Sequence, residues 1–167
     1  VVEVFCYADS QFGDDVTAGC REAADHWCPT ATMSDEELAD RIRQDELDLL
    51  VDLAGHVGHN RLLAFARKPA PIQVAYLGYP NTTGMSAMDY RLTDRHVDPP
   101  GASDESYTER LVRLPRGSFC FAAAKTAGEV GPLPALEAGR VTFAWFHDMI
   151  HFTPQTPRIW AAILSGV

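Results

Sequence analysis

The chain has 167 residues, 46% of them hydrophobic, and its 23 acidic and 14 basic side chains leave a net charge of −9. That length and apolar content suffice for one buried core, while the scattered basic residues, with only short clusters such as Arg61, Arg67 and Lys68, argue against nucleic-acid binding. No stretch approaches the roughly 20 apolar residues of a membrane helix and no charged-then-apolar leader opens the chain, so a cytoplasmic location without a membrane partner is expected.

In chain order, Val1 to Ala8 reads as a strand, Asp14 to Trp27 as a helix and Ser34 to Glu46 as a second helix. The second helix opens on a capping box, Ser34 with Glu37 three residues on, and its apolar stripe is Leu38, Ile42 and Leu47. Strands follow at Leu47 to Leu53, Ile72 to Leu77 and Tyr90 to Thr93, with a short helix from Asn60 to Arg67 between the first two. The near-continuous apolar run Leu49, Leu50, Val51, Leu53 is that of a strand covered on both faces. Strand, helix, strand order implies parallel pairing with right-handed crossovers, an α/β fold. Beyond Asp94 come a loop over Val97 to Ser106, a short strand at Leu111 to Leu114, and linker composition from Ala122 to Gly139. A new strand is expected at Arg140 to Phe146 and a helix at Thr153 to Leu164, with Thr153 as N-cap and Pro154 at its first position. Cys6, Cys20, Cys28 and Cys120 form no C-x-x-C pair and read as buried free thiols.

The densest chemistry lies between Asp48 and Asp94, where a strand breaks at Gly55 into a polar turn and a second strand runs into LGYPNTTG. Side chains just past such breaks sit at the carboxyl edge of a sheet, the usual ligand crevice of open α/β folds. His56, His59, Asn60 and Arg61 could present donors there; equally, Asn60 could cap the next helix and Arg61 could pair with a carboxylate such as Asp52. The loop Tyr79, Pro80, Asn81, Thr82, Thr83, Gly84 could offer backbone N–H groups and hydroxyls to a sugar or an acceptor peptide, or be an ordinary turn. Neither a Walker loop nor a G-x-G-x-x-G fingerprint is present.

The string DLAGHVGHNRLLAFARKPAPIQVAYLGYPNTTGMSAMDYRLTD resembles the catalytic region of the protein O-linked N-acetylglucosaminyltransferases, in the bacterial form linked to TPR repeats. EVFCYA, LADRI and TPQTPRIWAAIL fit the same family in order. The resemblance implies a GT-B glycosyltransferase built of two Rossmann-like lobes. Residues 1–121 would be an N-terminal catalytic lobe incomplete at its start, 122–139 a linker, and 140–167 the first strand and helix of the C-terminal nucleotide-binding lobe. It also implies transfer of N-acetylglucosamine from UDP-N-acetylglucosamine to Ser/Thr hydroxyls of a protein or peptide acceptor, without metal or other cofactor. An adjoining TPR region and a fuller C-terminal lobe would be partners. On this basis His56 and Asp40, the latter in LADRI, are candidate catalytic residues. Asp40 reads equally as a helix-surface partner of Arg43.

The family places an Asn-Asn/Gln pair and a Lys after the strand that matches Val141 to Phe146, and they contact the nucleotide. Here His147, Asp148 and His151 stand at those nucleotide-binding places. A cation against a diphosphate stabilises its transition state, whereas His, with a reference pKa of about 6.5, is mostly neutral at pH 7. The alternative expectation is therefore a non-catalytic remnant or binding module of the same fold. The three residues also spell H-D-x-x-H, close to the H-E-x-x-H zinc pattern, which would need a helix.

Overall fold

A computed structural model describes residues 2–10, 12–123 and 126–166. Val1 and Val167, at the ends of an expected strand and of the expected second lobe, and two residues of the expected linker lie outside them. The chain divides into two compact units, Val1–Cys120 and Phe121–Val167.

The first unit begins with β1, Phe5–Ala8, and α1, Asp15–Ala23. Asp14 caps α1 by accepting the Thr17 N–H at 2.8 Å. The expected helix ran on to Trp27, but α1 stops at Ala23 because His26–Pro29 is a strand, β2, paired in parallel with β1 from Phe5↔His26 to Ala8↔Pro29. The Val4 carbonyl accepts the N–H groups of Asp25 and His26, and these bonds draw that segment out of the helix. The β-forming side chains of Trp27 and Cys28 are compatible with either assignment, so cross-strand pairing decided it.

Helix α2, Asp35–Gln44, carries the expected capping box: Ser34 accepts the Glu37 N–H and Glu37 accepts the Ser34 N–H. Its stripe, Leu38, Ala39 and Ile42, is buried. Four strands follow, β3 (Leu49–Asp52), β4 (Ile72–Ala75), β5 (Tyr90–Asp94) and β6 (Arg110–Leu114), with α3 (Leu62–Ala66) between the first two. They form one parallel sheet in sequential order, separate from the β1–β2 pair. The core is Leu38, Ile42, Leu50, Leu62, Phe65 and Met88 with small residues between them, so α2 and α3 pack on one face of this sheet.

The other face differs from expectation. In β3, Leu50 and Asp52 point inward while Leu49 is 49% and Val51 38% exposed, and Ile72 on the neighbouring β4 and Val112 on the far strand β6 are exposed too. The apolar run therefore covers a strand with one face buried and the other open among the described residues.

Gln73, fully buried in β4, ties the elements around it. Its amide donates to the carbonyls of Phe65 (3.0 Å) and Ala87 (2.8 Å), and its backbone N–H donates to Asp89. Asp89 also holds Lys68. The Gln73 amide is thus a second donor to two carbonyls that Lys68 also bonds, Phe65 through its backbone N–H and Ala87 through Nζ, and so joins the end of α3 to the approach to β5.

Of the four thiols, all free, Cys6 and Cys28 are half-buried, but Cys20 and Cys120 are exposed, against the expectation of burial. Cys20 lies on α1, which has no buried residue, and Cys120 lies past the last strand of the sheet. Burial pushes the Cys6 thiol up.

The second unit holds α4 (Pro134–Ala138) within the expected linker, and α5 (Thr156–Ser165). The strand expected at Arg140 to Phe146 does not form: the segment has no ladder partner among the described residues. A lone β-rich run without a neighbouring strand cannot satisfy its backbone in a sheet. The final helix starts later than expected, with Gln155 as its N-cap residue, because Thr153 uses its N–H and hydroxyl on the Thr156 hydroxyl.

Candidate active site

The site is built where β3 and β4 leave the sheet. At the end of β3 the Asp52 carboxylate accepts the N–H groups of Ala54 (3.1 Å) and Gly55 (2.8 Å), turning the chain into Gly55 at φ +58. His56 follows, and its Nε2 meets the Thr83 carbonyl, in the β4 exit loop, at 2.8 Å. The His56 ring stands edge-on to Tyr79 with centroids 5.2 Å apart. The two exits touch so closely that only glycine fits at two places. A Cβ on Gly55 would lie 2.3 Å from the Tyr79 Cβ, and one on Gly78 2.0 Å from the Leu53 carbonyl oxygen.

Two buried charges hold the β4 exit loop from beneath. Arg91, 5% exposed on β5, donates to the carbonyls of Tyr79 (2.8 Å) and Asn81 (2.9 Å), with its guanidinium 5.7 Å from the Tyr107 ring centroid. Glu109, 4% exposed just before β6, accepts the Thr82 hydroxyl and the Thr83 N–H, each at 2.6 Å, and the Thr83 hydroxyl. Burial opposes ionisation of Glu109, but the bonds from Thr82 and Thr83 outweigh it and hold the carboxyl below the usual glutamate range. The hydroxyls expected to meet a ligand thus point to Glu109. Tyr79 is half-buried at the rim, while Pro80 and Gly84 are exposed. Arg91 and Glu109 were not singled out from sequence. The available signal was an Arg on the inward parity of a strand, next to Thr93, and an acid beside a strand start.

The other expected residues divide. Asn60 accepts the Leu62 N–H at 3.2 Å and donates to the Val57 carbonyl, so it supports the start of α3 from one residue outside the N-cap position, which is Arg61. Arg61 does not pair with Asp52, whose carboxylate the turn N–H groups occupy. It bridges Asp9 (3.2 Å) and Asp35 (3.1 Å) and donates to the carbonyls of Thr30 (3.0 Å) and Met33 (2.6 Å). Arg61 therefore ties the carboxyl ends of β1 and β2 to the start of α3. His59 is exposed at φ +60. Asp40 is exposed on α2 and bonded to Arg43 at 2.6 Å.

His147, Asp148 and His151 lie in the second unit. Asp148 caps a single 3-10 turn, Met149–His151, and the two His rings face each other edge-on at 6.1 Å beside a hollow of about 270 Å³ lined also by Trp145 and Thr156. This turn is not the α-helix an H-E-x-x-H site requires. No group of three His, Cys, Asp or Glu gathers for metal binding among the described residues. A larger hollow, about 620 Å³, opens in the first unit at the carboxyl ends of β1 and β2, lined by Ala8, Phe12, Asp14, Thr17, Arg21 and Trp27 among others.

A family model described as Glycosyl transferase family 41 matches residues 1–126. The chain belongs to that family. Its fold agrees with a solved mutant of the O-GlcNAc transferase of Thermobaculum terrenum, 51% identical, with a TM-score of 0.67 over 70% of this chain and 22% of that one. A tomato relative (Solanum lycopersicum), named as a probable UDP-N-acetylglucosamine–peptide N-acetylglucosaminyltransferase SPINDLY, is 43% identical over 84% of this chain and 15% of its own length. The Arabidopsis thaliana relative named SEC, with the same probable activity, is 33% identical over 99% of this chain and 18% of its own. The chain thus spans under a fifth of the curated relatives it matches, and what it has of family 41 is an α/β Rossmann-like lobe of the GT-B kind. The match to the family model takes in His56 and the Tyr79 to Gly84 loop and ends before His147.

Proposed function

We propose that this family 41 chain forms part of a glycosyltransferase that moves N-acetylglucosamine from UDP-N-acetylglucosamine to Ser/Thr hydroxyls of proteins, in the cytoplasm, with no metal or other cofactor. The observation that carries the reading is the interlocked pair of strand exits, which holds the His56 imidazole in a defined orientation at the sheet's carboxyl edge. In this role the acceptor hydroxyl loses its proton to His56 Nδ1 as its oxygen bonds the anomeric carbon. The bond from that carbon to the diphosphate oxygen breaks, and UDP leaves with the electron pair. His59, Asn60, Arg61 and the Tyr79 to Gly84 loop border the acceptor side, and Asp40 stands apart on α2. His147, Asp148 and His151 would meet the nucleotide, and an adjoining TPR region would recruit acceptor proteins.

A second reading, a binding module without donor chemistry, is favoured by one observation. Asp148 puts an exposed carboxylate where the family has an amide, and it is already used as a cap on the Ile150 N–H. A carboxylate there repels a diphosphate. Titration calorimetry with UDP, on the chain and on a double variant Asp148→Asn, His151→Lys, separates the two. Binding by the chain itself supports the transferase. Binding only by the double variant means that the pocket is kept and the present residues silence it. Failure of both favours the module.

A further inference from the structure

We propose that Glu109 is a positioning residue for His56, acting through Thr82 and Thr83; the proposal rests on the role given to His56 above. Glu109 lies in a different loop and does not touch the imidazole. Its reach is through one peptide plane. The Thr83 carbonyl that receives His56 Nε2 shares a planar trans peptide with the Gly84 N–H, so the two groups point in opposite directions and move together. That N–H donates to the Thr82 hydroxyl oxygen at 3.0 Å. The Thr82 hydroxyl in turn donates its proton to Glu109 Oε2 at 2.6 Å, which leaves its lone pairs for Gly84 and for the Thr108 N–H at 3.3 Å. Glu109 Oε1 takes both the N–H and the hydroxyl of Thr83, fixing that residue's backbone and side chain. With both ends of the plane anchored, the carbonyl has one direction left, toward His56 at 2.8 Å.

The consequence for the ring follows from donor and acceptor identity. A carbonyl only accepts, so His56 Nε2 carries the hydrogen, and in the neutral imidazole Nδ1 is then the free lone pair. Nothing bonds Nδ1 among the described residues. The nitrogen able to take a proton is thereby chosen by a buried carboxylate three hydrogen bonds and one peptide plane away. A charged acceptor suits this task, since bonds to an ionised carboxylate are stronger than neutral ones, and the depressed acidity range of Glu109 keeps it ionised.

The test is long-range proton–nitrogen NMR on the ¹⁵N-labelled chain, with the His56 signals assigned by their loss in His56→Gln. The parent chain is expected to show a His56 Nε2–H proton slow enough in exchange to observe, and an unprotonated Nδ1 at high pH. In Glu109→Gln that proton should exchange about tenfold faster or more, while Thr83→Ser, which keeps every bond, retains it. If Glu109→Gln does not fold, Thr82→Val removes the hydroxyl beneath Gly84 and should loosen the ring in the same way. A protonated Nδ1 in the neutral parent, or an unchanged His56 Nε2–H in folded Glu109→Gln or Thr82→Val, overturns the proposal. The readout needs no sugar transfer, so a failure of the transferase reading leaves this result intact and separately visible.

Discussion

The two compact units make opposite use of similar residues. In Val1–Cys120 the apolar side chains of α2 and α3 find a sheet, and charged residues such as Arg91 and Glu109 go inside because backbone and hydroxyl groups surround them. In the described part of Phe121–Val167 no residue is buried; Phe146 is 94% and Ile150 81% exposed, and the aromatic contacts of Trp145 with Phe152 and Trp160 are its main packing. Composition alone does not make a core. A second layer does, and only the first unit has one among the described residues.

Paired substitutions sharpen this contrast. Gly78→Ala drives a Cβ into the Leu53 carbonyl and should cost about 3 kcal/mol or more. Gly139→Ala, at φ +63 with open space around it, should cost about 1 kcal/mol. Urea unfolding by circular dichroism checks both, and equal costs would break the comparison. Arg61→Met takes the cation from two carboxylates and the side-chain donor from the Met33 carbonyl, for about 3 kcal/mol, while Arg158→Met, on an exposed helix position, should stay within about 0.5 kcal/mol.

Acid should loosen the first unit through its bonded carboxylates. Bonds from the Ser118 hydroxyl and from the N–H groups of Val97, His96 and Ser118 hold Asp94 far below its ordinary range, and Glu109 is held down as described. Carboxyls depressed in the folded state stabilise it fully above their unfolded values, about 3.9 and 4.3, and lose that contribution as pH falls through the lower folded ones. Stability should therefore drop below about pH 4, and Glu109→Gln should flatten that drop, as pH-dependent urea midpoints would record. The smallest effect is local: α5 amides should exchange roughly tenfold faster than those of α2, whose apolar face is buried.

Much of the first unit was legible because its signals are local. The capping box at Ser34 and the β3, β4, β5 and β6 strands needed only neighbours in sequence. β2 was not legible, because a four-residue strand following a helical pattern is decided by its partner β1, some twenty residues away. The strand expected after Arg140 failed for the same reason in reverse: it had the composition and lacked a partner. In the site, the turn at Gly55 and the loop at Gly78 could be placed at a sheet edge, but their interlocking could not. Neither could the partners of Arg61, which lie at the exits of β1 and β2 and at the start of α2, segments read separately.

The contact of Gly78 with Leu53 also governs how this chain can vary in length. Two loops that share a backbone-to-backbone surface form one part, so an added residue in either 54–58 or 78–84 would separate Gly55 from Tyr79 and Gly78 from Leu53 at once. The turn at Pro99–Gly101 is exposed, and a Cβ on Gly101 would meet nothing within 4 Å. A library of single-residue insertions across the first unit should therefore recover folded members at 99–102 and none at either exit, making the pair of loops a unit of inheritance that can be exchanged whole and not in halves.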